Sequence, residues 1–406
     1  MTALRQHLID PEVCIRCNTC EENCPIEGAI EHNEDNYVVN ADLCNYCMSC
    51  ISPCPTGAID SWRVVENAYS LDDQYSWDEL PEQIEIQDSG AEDGSEASES
   101  EATDILEIAH AGNGIVPAPA TSSKPRINLW TREKPARATV TGNYRITEEG
   151  TESDIHHIVL DFGAQSFPVL EGQSIGIIPP GTDAKGKPHQ VRLYSIASPR
   201  DGERPGYNNL ALTVKRVTFE ADGATQEGLG SGYMCNLKKN DEVMVTGPFG
   251  STFLMPNDPD ANLIMICTGT GAAPFRGMTE RRRRLGGHGK GKMLLFFGAR
   301  SPSELPYFGP LQKLPKSLLD QELVFSRISN IDDSNKEYVQ HRMAKRAEDL
   351  AALLNDENTH IYVCGLKGME QGVEETFNSL CADRGLDWPQ LRQQLRNDGR
   401  YHIETY

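Results

Sequence analysis

The sequence predicts a multidomain protein in which a small cysteine-rich module precedes an all-β domain and an α/β domain with a parallel sheet. Three observations carry this prediction. A cysteine run occurs twice near the N-terminus, short β-rich segments separated by Gly, Pro, Asp and Asn follow one another over residues 136–253, and from residue 261 apolar strands alternate with longer helical stretches. A chain of 406 residues is long enough for two or three such cores.

The cysteine run has the spacing C-x-x-C-x-x-C-x-x-x-C-P in both copies, formed by Cys14, Cys17, Cys20 and Cys24 and by Cys44, Cys47, Cys50 and Cys54. Three thiolates spaced by three residues on a tight loop can converge on one inorganic core, and the fourth, followed by proline, can reach a second core. The spacing therefore predicts two [4Fe–4S] clusters. Two zinc sites are the alternative, although zinc needs neither the third cysteine nor the Cys-Pro of each copy.

The repeat continues past the cysteines, because CPIEGAI at residues 24–30 is echoed by CPTGAI at residues 54–59. Residues 8–63 resemble the two-cluster bacterial-type ferredoxins, which have a small α+β fold. The resemblance implies a ferredoxin domain over residues 1–63, in which each cluster takes three ligands from one copy of the motif and the fourth from the other copy. These two sets are Cys14, Cys17, Cys20 and Cys54, and Cys44, Cys47, Cys50 and Cys24.

A linker is predicted over residues 64–125. Its central part, QDSGAEDGSEASESEATD at residues 87–104, combines like charges with low hydrophobicity, which is typical of a solvated tether. The alternative is that this acidic segment docks on a basic surface of the same chain or of a partner. Within the chain, the candidates for such a surface are Arg281, Arg282, Arg283 and Arg284.

The charge balance limits the partners that the protein can have. Sixty acidic residues against 38 basic ones give a formal net charge of −22, which disfavours nucleic acid and anionic membranes. No apolar stretch is long enough to span a bilayer, and the first ten residues lack an apolar signal region. Cluster-binding cysteines fit a reducing compartment, so we expect a cytoplasmic protein with neither a nucleic-acid nor a membrane partner.

Two short motifs point to nucleotide chemistry. Thr268, Gly269, Thr270 and Gly271 follow the first strand of the α/β domain, where glycines let the backbone approach a pyrophosphate at a helix N-terminus. In the β-rich region, which reads as an antiparallel barrel or sandwich, the segment RLYS at residues 192–195 has the residue types that hold a flavin. An arginine can clamp a pyrophosphate, a tyrosine can stack on the isoalloxazine, and a serine can hydrogen-bond near the nitrogen that accepts hydride.

Residues 126–406 resemble the plant-type ferredoxin–NADP reductases along their full length. Seven motifs occur in the order found in that family: KGKPHQVRLYSIASP, LTVKRV, EGLGSGYMCNL, TGPFGSTFLMP, TGTGAAPFRGM, YVCGLKGMEQGVEE and the C-terminal IETY. The resemblance implies an antiparallel β-barrel that binds FAD over residues 126–256 and a Rossmann-like domain that binds NADP over residues 257–406.

The resemblance also assigns roles to single residues. For FAD these are Arg192, Tyr194 and Ser195, with Lys215 and Ser231 at the phosphates and Phe219 near the adenine. The chain departs from the family at Gly230, where a cysteine is usual, and at Phe219, which replaces a tyrosine and keeps its stacking face.

For the nicotinamide nucleotide, Thr268 to Gly271 are assigned to the pyrophosphate, and an Arg–Lys group is assigned to the 2′-phosphate. An arginine and a lysine that converge on a dianion imply a preference for NADPH over NADH. This group is Ser326, Arg327, Lys336 and Tyr338. The resemblance further implies that Ser195, Cys364 and Glu404 position the nicotinamide and relay a proton, and that Tyr406 covers the flavin until the nicotinamide displaces it.

Taken together, the domains predict an electron circuit from NADPH through FAD and two clusters to an external protein. The order of domains is similar to that of the reductase components of benzoyl-CoA 2,3-epoxidases, which supply a separate di-iron oxygenase in aromatic catabolism. The sequence has no pair of E-x-x-H motifs arranged in a helical bundle for a di-iron site, so oxygen chemistry would occur elsewhere. The alternatives are a general ferredoxin–NADP oxidoreductase and a non-catalytic electron carrier or redox sensor. The sequence predicts no oligomeric state.

Overall fold

The computed structural model describes the chain as two compact units, residues 1–115 and residues 116–406. The residues it describes are 4–12, 14–16, 18–44, 50, 54, 58–59, 62–65, 68–81, 116–182, 186, 189–221, 224–286, 289–307, 310–327 and 336–405.

The first unit contains two antiparallel strand pairs and two short helices in its described part. Strand β1 pairs with β4 and strand β2 pairs with β3. The strands are β1 (Leu4–His7), β2 (Ile30–His32), β3 (Tyr37–Val39) and β4 (Trp62–Val65), and the helices are α1 (Thr19–Glu22) and α2 (Leu71–Tyr75). A small apolar core that includes Ile9, Ile30, Val39 and Ile59 lies against the described cysteines of both motifs.

The predicted linker start at residue 64 differs from the structure, because α2 is part of the first unit. Gln74 at the end of α2 is buried, and its side-chain amide exchanges two hydrogen bonds of 3.0 Å with the backbone of Val39. Asn36 donates from its side chain to the carbonyl oxygens of Gln74, Tyr75 and Trp77. A five-residue helix held by buried amides has too little apolar periodicity for sequence analysis to find.

The second unit begins with a six-stranded antiparallel sheet in the order β8-β7-β12-β5-β6-β9. Its strands are β5 (Ala136–Arg145), β6 (Ile155–Asp161), β7 (Ser174–Ile178), β8 (Arg192–Ser195), β9 (Asn209–Lys215) and β12 (Glu242–Phe249). An isolated bridge between Ile196 and Leu212 joins the ends of the sheet, since Ile196 follows β8 and Leu212 lies in β9. The hairpin β10 (Thr218–Ala221) and β11 (Ala224–Glu227) leads into helix α3 (Leu229–Asn236).

The second unit ends in a five-stranded parallel sheet in the order β15-β14-β13-β16-β17. This is a doubly wound order, in which ligands bind at the carboxyl ends of the strands. The strands are β13 (Asn262–Thr268), β14 (Met293–Ala299), β15 (Asp320–Phe325), β16 (Thr359–Gly365) and β17 (Tyr401–Thr405). The helices are α4 (Ala272–Arg284), α5 (Val339–Lys345), α6 (Ala347–Leu354), α7 (Glu370–Ala382) and α8 (Trp388–Asn397).

The last ten residues of the predicted linker belong to the second unit, which begins at Val116. The hydroxyl oxygen of Ser123 accepts hydrogen bonds from Arg200 Nη1 at 2.8 Å and from Asn257 Nδ2 at 2.9 Å. Arg200 itself forms an ion pair with the fully buried Glu171. The predicted boundary at residue 126 therefore falls about ten residues after the start of this unit.

The structure does not support the arginines at positions 281–284 as a basic docking surface. Arg282 is buried and donates to the carbonyl oxygens of Pro259, Ala261 and Gly291. Arg284 donates to the carbonyl oxygens of Gly202 and Glu203. Arg283 pairs with Glu280 one helical turn away, so most of the four charges are already engaged.

In the part of the chain that the structure describes, no helix combines the length and the apolar character that crossing a membrane requires.

Candidate functional site

The glycine-rich turn lies at the carboxyl end of β13, as the motif predicts. Residues Gly269–Gly271 form a single 3₁₀ turn, and α4 begins immediately after it. A Cβ at Gly271 would lie 2.2 Å from the carbonyl oxygen of Cys364, so only glycine fits there. This close approach holds the turn against the end of β16, where Thr268 Oγ1 also accepts a hydrogen bond from the backbone N–H of Leu366 at 3.2 Å.

Cys364 and Glu404 are brought together by the register of the parallel strands. Cys364 in β16 is the Cα partner of Cys267 in β13 and of Glu404 in β17. Cys364 is buried, and this burial, the carboxylate of Glu404 and the neighbouring Cys267 all raise the pKa of its thiol well above the ordinary value. The thiol is therefore neutral at physiological pH. A neutral thiol is better suited to contact with a nicotinamide ring than to nucleophilic attack.

Ser326 and Arg327 extend the pairing of β15 with β14 beyond the strand ends. The N–H groups of Ser326 and Arg327 donate to the carbonyl oxygens of Ala299 and Arg300 at 3.1 and 2.7 Å. The guanidinium groups of Arg327 and Arg300 consequently lie side by side at the carboxyl edge of the sheet. Both form ion pairs with Glu152, whose Oε2 lies 3.0 Å from Arg327 Nη1.

Lys336 and Tyr338 lie just before α5, which starts at the same edge of the sheet. Tyr338 is the N-cap residue of this helix, its ring is 44% exposed, and its backbone N–H donates to His341 Nδ1 at 3.2 Å. Tyr338 thus presents an exposed aromatic side chain at the edge of the sheet that also carries Arg300 and Arg327, and these residue types suit a phosphorylated nucleotide.

The predicted flavin residues of β8 pack against the start of α3. A Cβ at Gly230 would lie 2.6 Å from Arg192 Cγ and 3.3 Å from the hydroxyl oxygen of Tyr194. The glycine that departs from the family pattern therefore makes room for these two side chains. Burial raises the pKa of Tyr194, so its phenol stays protonated. Ser195 ends the strand, paired with Ser174 of β7.

The other predicted flavin residues lie between the end of β9 and the first turn of α3. Ser231 Oγ accepts a hydrogen bond from the backbone N–H of Val217 at 3.1 Å, and Phe219 on the hairpin is 49% exposed, which leaves a face for stacking. Lys215 is half-buried. Its pKa is lowered by burial and then by the charge of Arg300, while Glu304 and Glu152 oppose this shift.

The two cysteine motifs meet in the first unit. Cys14, Cys20 and Cys54 line one pocket, together with Tyr37 and apolar side chains that include Ile59. This pocket unites a cysteine of the second motif with two of the first, as the ligand sets of the ferredoxin family require, and its thiols and apolar lining fit an iron–sulfur cluster. Three His, Cys, Asp or Glu side chains do not converge on a single-ion site within the described residues.

The remaining cysteines of the motifs lie near this core or outside the described part. Cys24, Cys44 and Cys50 pack against the same apolar cluster as the pocket residues. Cys17 and Cys47 lie outside the described residues, as does the terminal Tyr406.

Sequence analysis missed a buried polar network between the two halves of the second unit. Arg276 on α4 forms two hydrogen bonds of 2.7 Å to the carboxylate of Glu203, and His157 lies 3.4 Å from the same carboxylate. Burial alone would raise the pKa of Glu203, but hydrogen bonds and positive charge from His157 and Arg276 outweigh it and lower this pKa to about 2. The hydroxyl of Tyr307 bonds to His157 and Thr213. Arg276 lies in the motif TGTGAAPFRGM, and this was the feature of the sequence that could have indicated the network.

Comparison with known proteins agrees with this geometry. Residues 265–375 match the family profile described as "Oxidoreductase NAD-binding domain", and residues 6–60 match "4Fe-4S dicluster domain". A ferredoxin–NADP reductase of Synechocystis sp. is 38% identical over 287 residues, which cover 69% of this chain and 70% of that protein. The chain belongs to the ferredoxin–NADP reductase family. The chloroplastic reductase of Spinacia oleracea is likewise 38% identical, over 271 residues that cover 65% of this chain and 73% of that protein.

Among solved structures, the ferredoxin–NADP reductase of Plasmodium falciparum matches with a TM-score of 0.55 at 26% identity and covers 69% of this chain and 99% of that chain. The protein is therefore an NADP oxidoreductase of the ferredoxin–NADP reductase type, with the FAD and NADP binding of that family and an additional 4Fe-4S dicluster domain. The dicluster match favours iron–sulfur clusters over the zinc alternative.

Proposed function

We propose that this reductase passes electrons from NADPH through FAD to two [4Fe–4S] clusters of its own chain, and from the clusters to a separate protein. One observation carries the proposal: a chain of the ferredoxin–NADP reductase family also contains a pocket lined by cysteines of both cluster motifs. The relatives are named for ferredoxin, and here a ferredoxin-like acceptor is part of the same polypeptide. A shared polypeptide raises the effective concentration of acceptor at the flavin.

FAD is assigned to a barrel formed by the six-stranded sheet of residues 126–256. The bridge between Ile196 and Leu212 supports closure of this sheet, and Gly230 supports the placing of Arg192 and Tyr194 against α3. When bound, FAD accepts a hydride and releases electrons one at a time. Arg192 clamps the pyrophosphate, and the side chains that complete the site are Tyr194, Ser195, Lys215, Phe219 and Ser231.

NADPH is assigned to the domain of residues 257–406, with its pyrophosphate at Thr268 to Gly271. Ser195, Cys364 and Glu404 position the nicotinamide, and the neutral thiol of Cys364 supports a role in orienting the ring. Ser326, Arg327, Lys336 and Tyr338 hold the 2′-phosphate. Tyr406 covers the flavin in the absence of nicotinamide.

The acceptor is assigned to the di-iron oxygenase component of a benzoyl-CoA 2,3-epoxidase, a reaction of aromatic catabolism. The domain order supports this assignment, because a dicluster domain that precedes a reductase domain can pass electrons one at a time to another protein. An oxygenase that holds its own metal and takes its electrons from another protein is an acceptor of this kind.

Two electron acceptors test the proposal in steady-state assays of the purified protein with NADPH. Ferricyanide can take electrons from the flavin directly, whereas the purified di-iron oxygenase must receive them from the clusters. We expect Cys14→Ala to retain ferricyanide reduction and to lose most of the oxygenase-coupled oxidation of NADPH. Equal stimulation of several unrelated ferredoxin-dependent enzymes would instead identify a general ferredoxin–NADP oxidoreductase.

A further inference from the structure

Two arginines from neighbouring strands of the parallel sheet share one carboxylate of the β-rich domain. Arg300 follows β14 and Arg327 follows β15, and the side chains of both reach Glu152 in the turn between β5 and β6. Arg327 Nη1 lies 3.0 Å from Glu152 Oε2, and Arg300 Nη1 bonds to the same oxygen. A carboxylate thus occupies a position between two guanidinium groups that also suits a phosphate oxygen.

The turn that carries Glu152 is fixed to the α/β domain on both sides of this residue. The backbone N–H of Glu148 donates to the carbonyl oxygen of Ser303 at 2.9 Å. The buried Ser153 donates from Oγ to Glu304 Oε2 at 2.5 Å. Since Ser303 and Glu304 follow Arg300 within four residues, the same short segment places both the arginine and its carboxylate partner.

The ion pairs remain accessible to a competing anion. The side chains of Glu152 and Arg327 are 67% and 55% exposed, so water and ions reach both of them. Exposed ion pairs are weak, and a dianion with three oxygens can accept more hydrogen bonds from two guanidinium groups than one carboxylate oxygen does.

We infer that Glu152 is a specificity-determining residue that competes with the 2′-phosphate for Arg327 and Arg300. In the nucleotide-free protein the carboxylate satisfies both arginines, and a 2′-phosphorylated nucleotide binds only after displacing it. Glu152 therefore weakens the binding of nucleotides that carry this phosphate and leaves the binding of nucleotides without it unchanged. The inference rests on the proposed function, in which Arg327 holds the 2′-phosphate of NADPH.

The test measures calorimetric binding of adenosine 2′-monophosphate and adenosine 5′-monophosphate to the full-length holoprotein. Glu152→Gln keeps the shape of the side chain. For this variant we expect the Kd of adenosine 2′-monophosphate to fall about three- to tenfold, while the Kd of adenosine 5′-monophosphate stays within twofold. Glu149→Gln is the matched control. It removes one charge from the same exposed turn, and Glu149 forms no ion pair within the described part of the chain, so its two Kd values should stay near those of wild type.

A third variant separates failure of the inference from failure of the proposed function. If Arg327→Ala weakens the binding of adenosine 2′-monophosphate and Glu152→Gln does not strengthen it, the arginine has its proposed role. The inference that Glu152 competes with the phosphate is then wrong. An equal gain in Glu149→Gln would also overturn the inference, because the effect would then be one of net charge. If Arg327→Ala leaves 2′-phosphate binding unchanged, the assignment of the NADPH site fails and the inference fails with it.

Discussion

Gly271 lies so close to Cys364 that a Cβ at position 271 would sit 2.2 Å from the carbonyl oxygen of Cys364. This contact joins the glycine-rich turn after β13 to the end of β16. It therefore fixes the pyrophosphate-binding backbone relative to the thiol that faces the nicotinamide in the proposed site.

Gly271→Ala is expected to weaken NADPH binding about tenfold or more, because a clash with backbone atoms displaces the whole turn. Isothermal calorimetry with NADPH measures the effect. Gly368→Ala is the control, since a Cβ at Gly368, near the same end of β16, meets nothing within 4 Å. Wild-type affinity in Gly271→Ala would show that the turn does not bind the nucleotide.

Arg276→Ala is expected to destabilise the second unit by about 3 kcal/mol, because it leaves the carboxylate of Glu203 largely buried without its main partner. Thermal unfolding of the holoprotein measures this loss. Arg283→Ala on the same helix is the control. Its partner Glu280 is one turn away and Arg283 is half exposed, so the change should cost less than about 0.5 kcal/mol. Equal destabilisation by both variants would contradict the role given to the buried network.

Cys54→Ala is expected to abolish the same cluster as Cys14→Ala, although the two cysteines belong to different motifs. Both line the pocket that also contains Cys20. Iron content should fall to about half in each variant, with matching electron paramagnetic resonance spectra after reduction. Cys235→Ser, a buried cysteine of the β-rich domain, should keep the full iron content. Different spectra for the two motif variants would contradict the crossed ligand sets.

Two buried histidines predict a loss of stability in mild acid. Burial lowers the pKa of His360 to about 4 and that of His402 to about 3. Both are depressed below the unfolded value near 6.5, so their contribution is present above pH 6.5 and is lost as the pH falls towards 4. We expect the free energy of opening of β16 and β17 to fall by about 1–2 kcal/mol per histidine between pH 7 and pH 5.

Hydrogen exchange of peptides from β16 and β17, corrected for intrinsic rates, measures this loss. His360→Gln should remove about half of the pH dependence, because the amide does not titrate and His402 still does. Opening free energies that stay constant between pH 7 and pH 5 in the wild type would show that these histidines are not held in the neutral form.

Features that the sequence predicted correctly depend on patterns within one segment. Apolar runs separated by helical stretches predicted the parallel sheet, and the Thr268–Gly271 motif predicted the turn that follows β13. The doubly wound order places Cys364 and Glu404 on adjacent strands as register partners, while their joint role at the nicotinamide stays a prediction.

Features that the sequence did not predict depend on contacts between distant segments. Arg300 and Glu152 are 148 residues apart, and neither belongs to a recognised motif. The sequence did not indicate helix α2, because hydrogen bonds from the side-chain amides of Asn36 and Gln74 stabilise this helix, and an apolar face does not. The run of arginines suggested a basic surface for the acidic segment, yet Arg282 points inward and donates to three carbonyl oxygens.

The most direct test of the proposed circuit is an anaerobic titration of the holoprotein with NADPH and, separately, with NADH, followed through the absorbance bands of flavin and clusters. We expect NADPH to bleach both sets of bands at a far lower concentration than NADH. Bleaching of the flavin while the cluster bands remain oxidised would contradict electron transfer within the chain, and equal effectiveness of the two nucleotides would contradict the 2′-phosphate site.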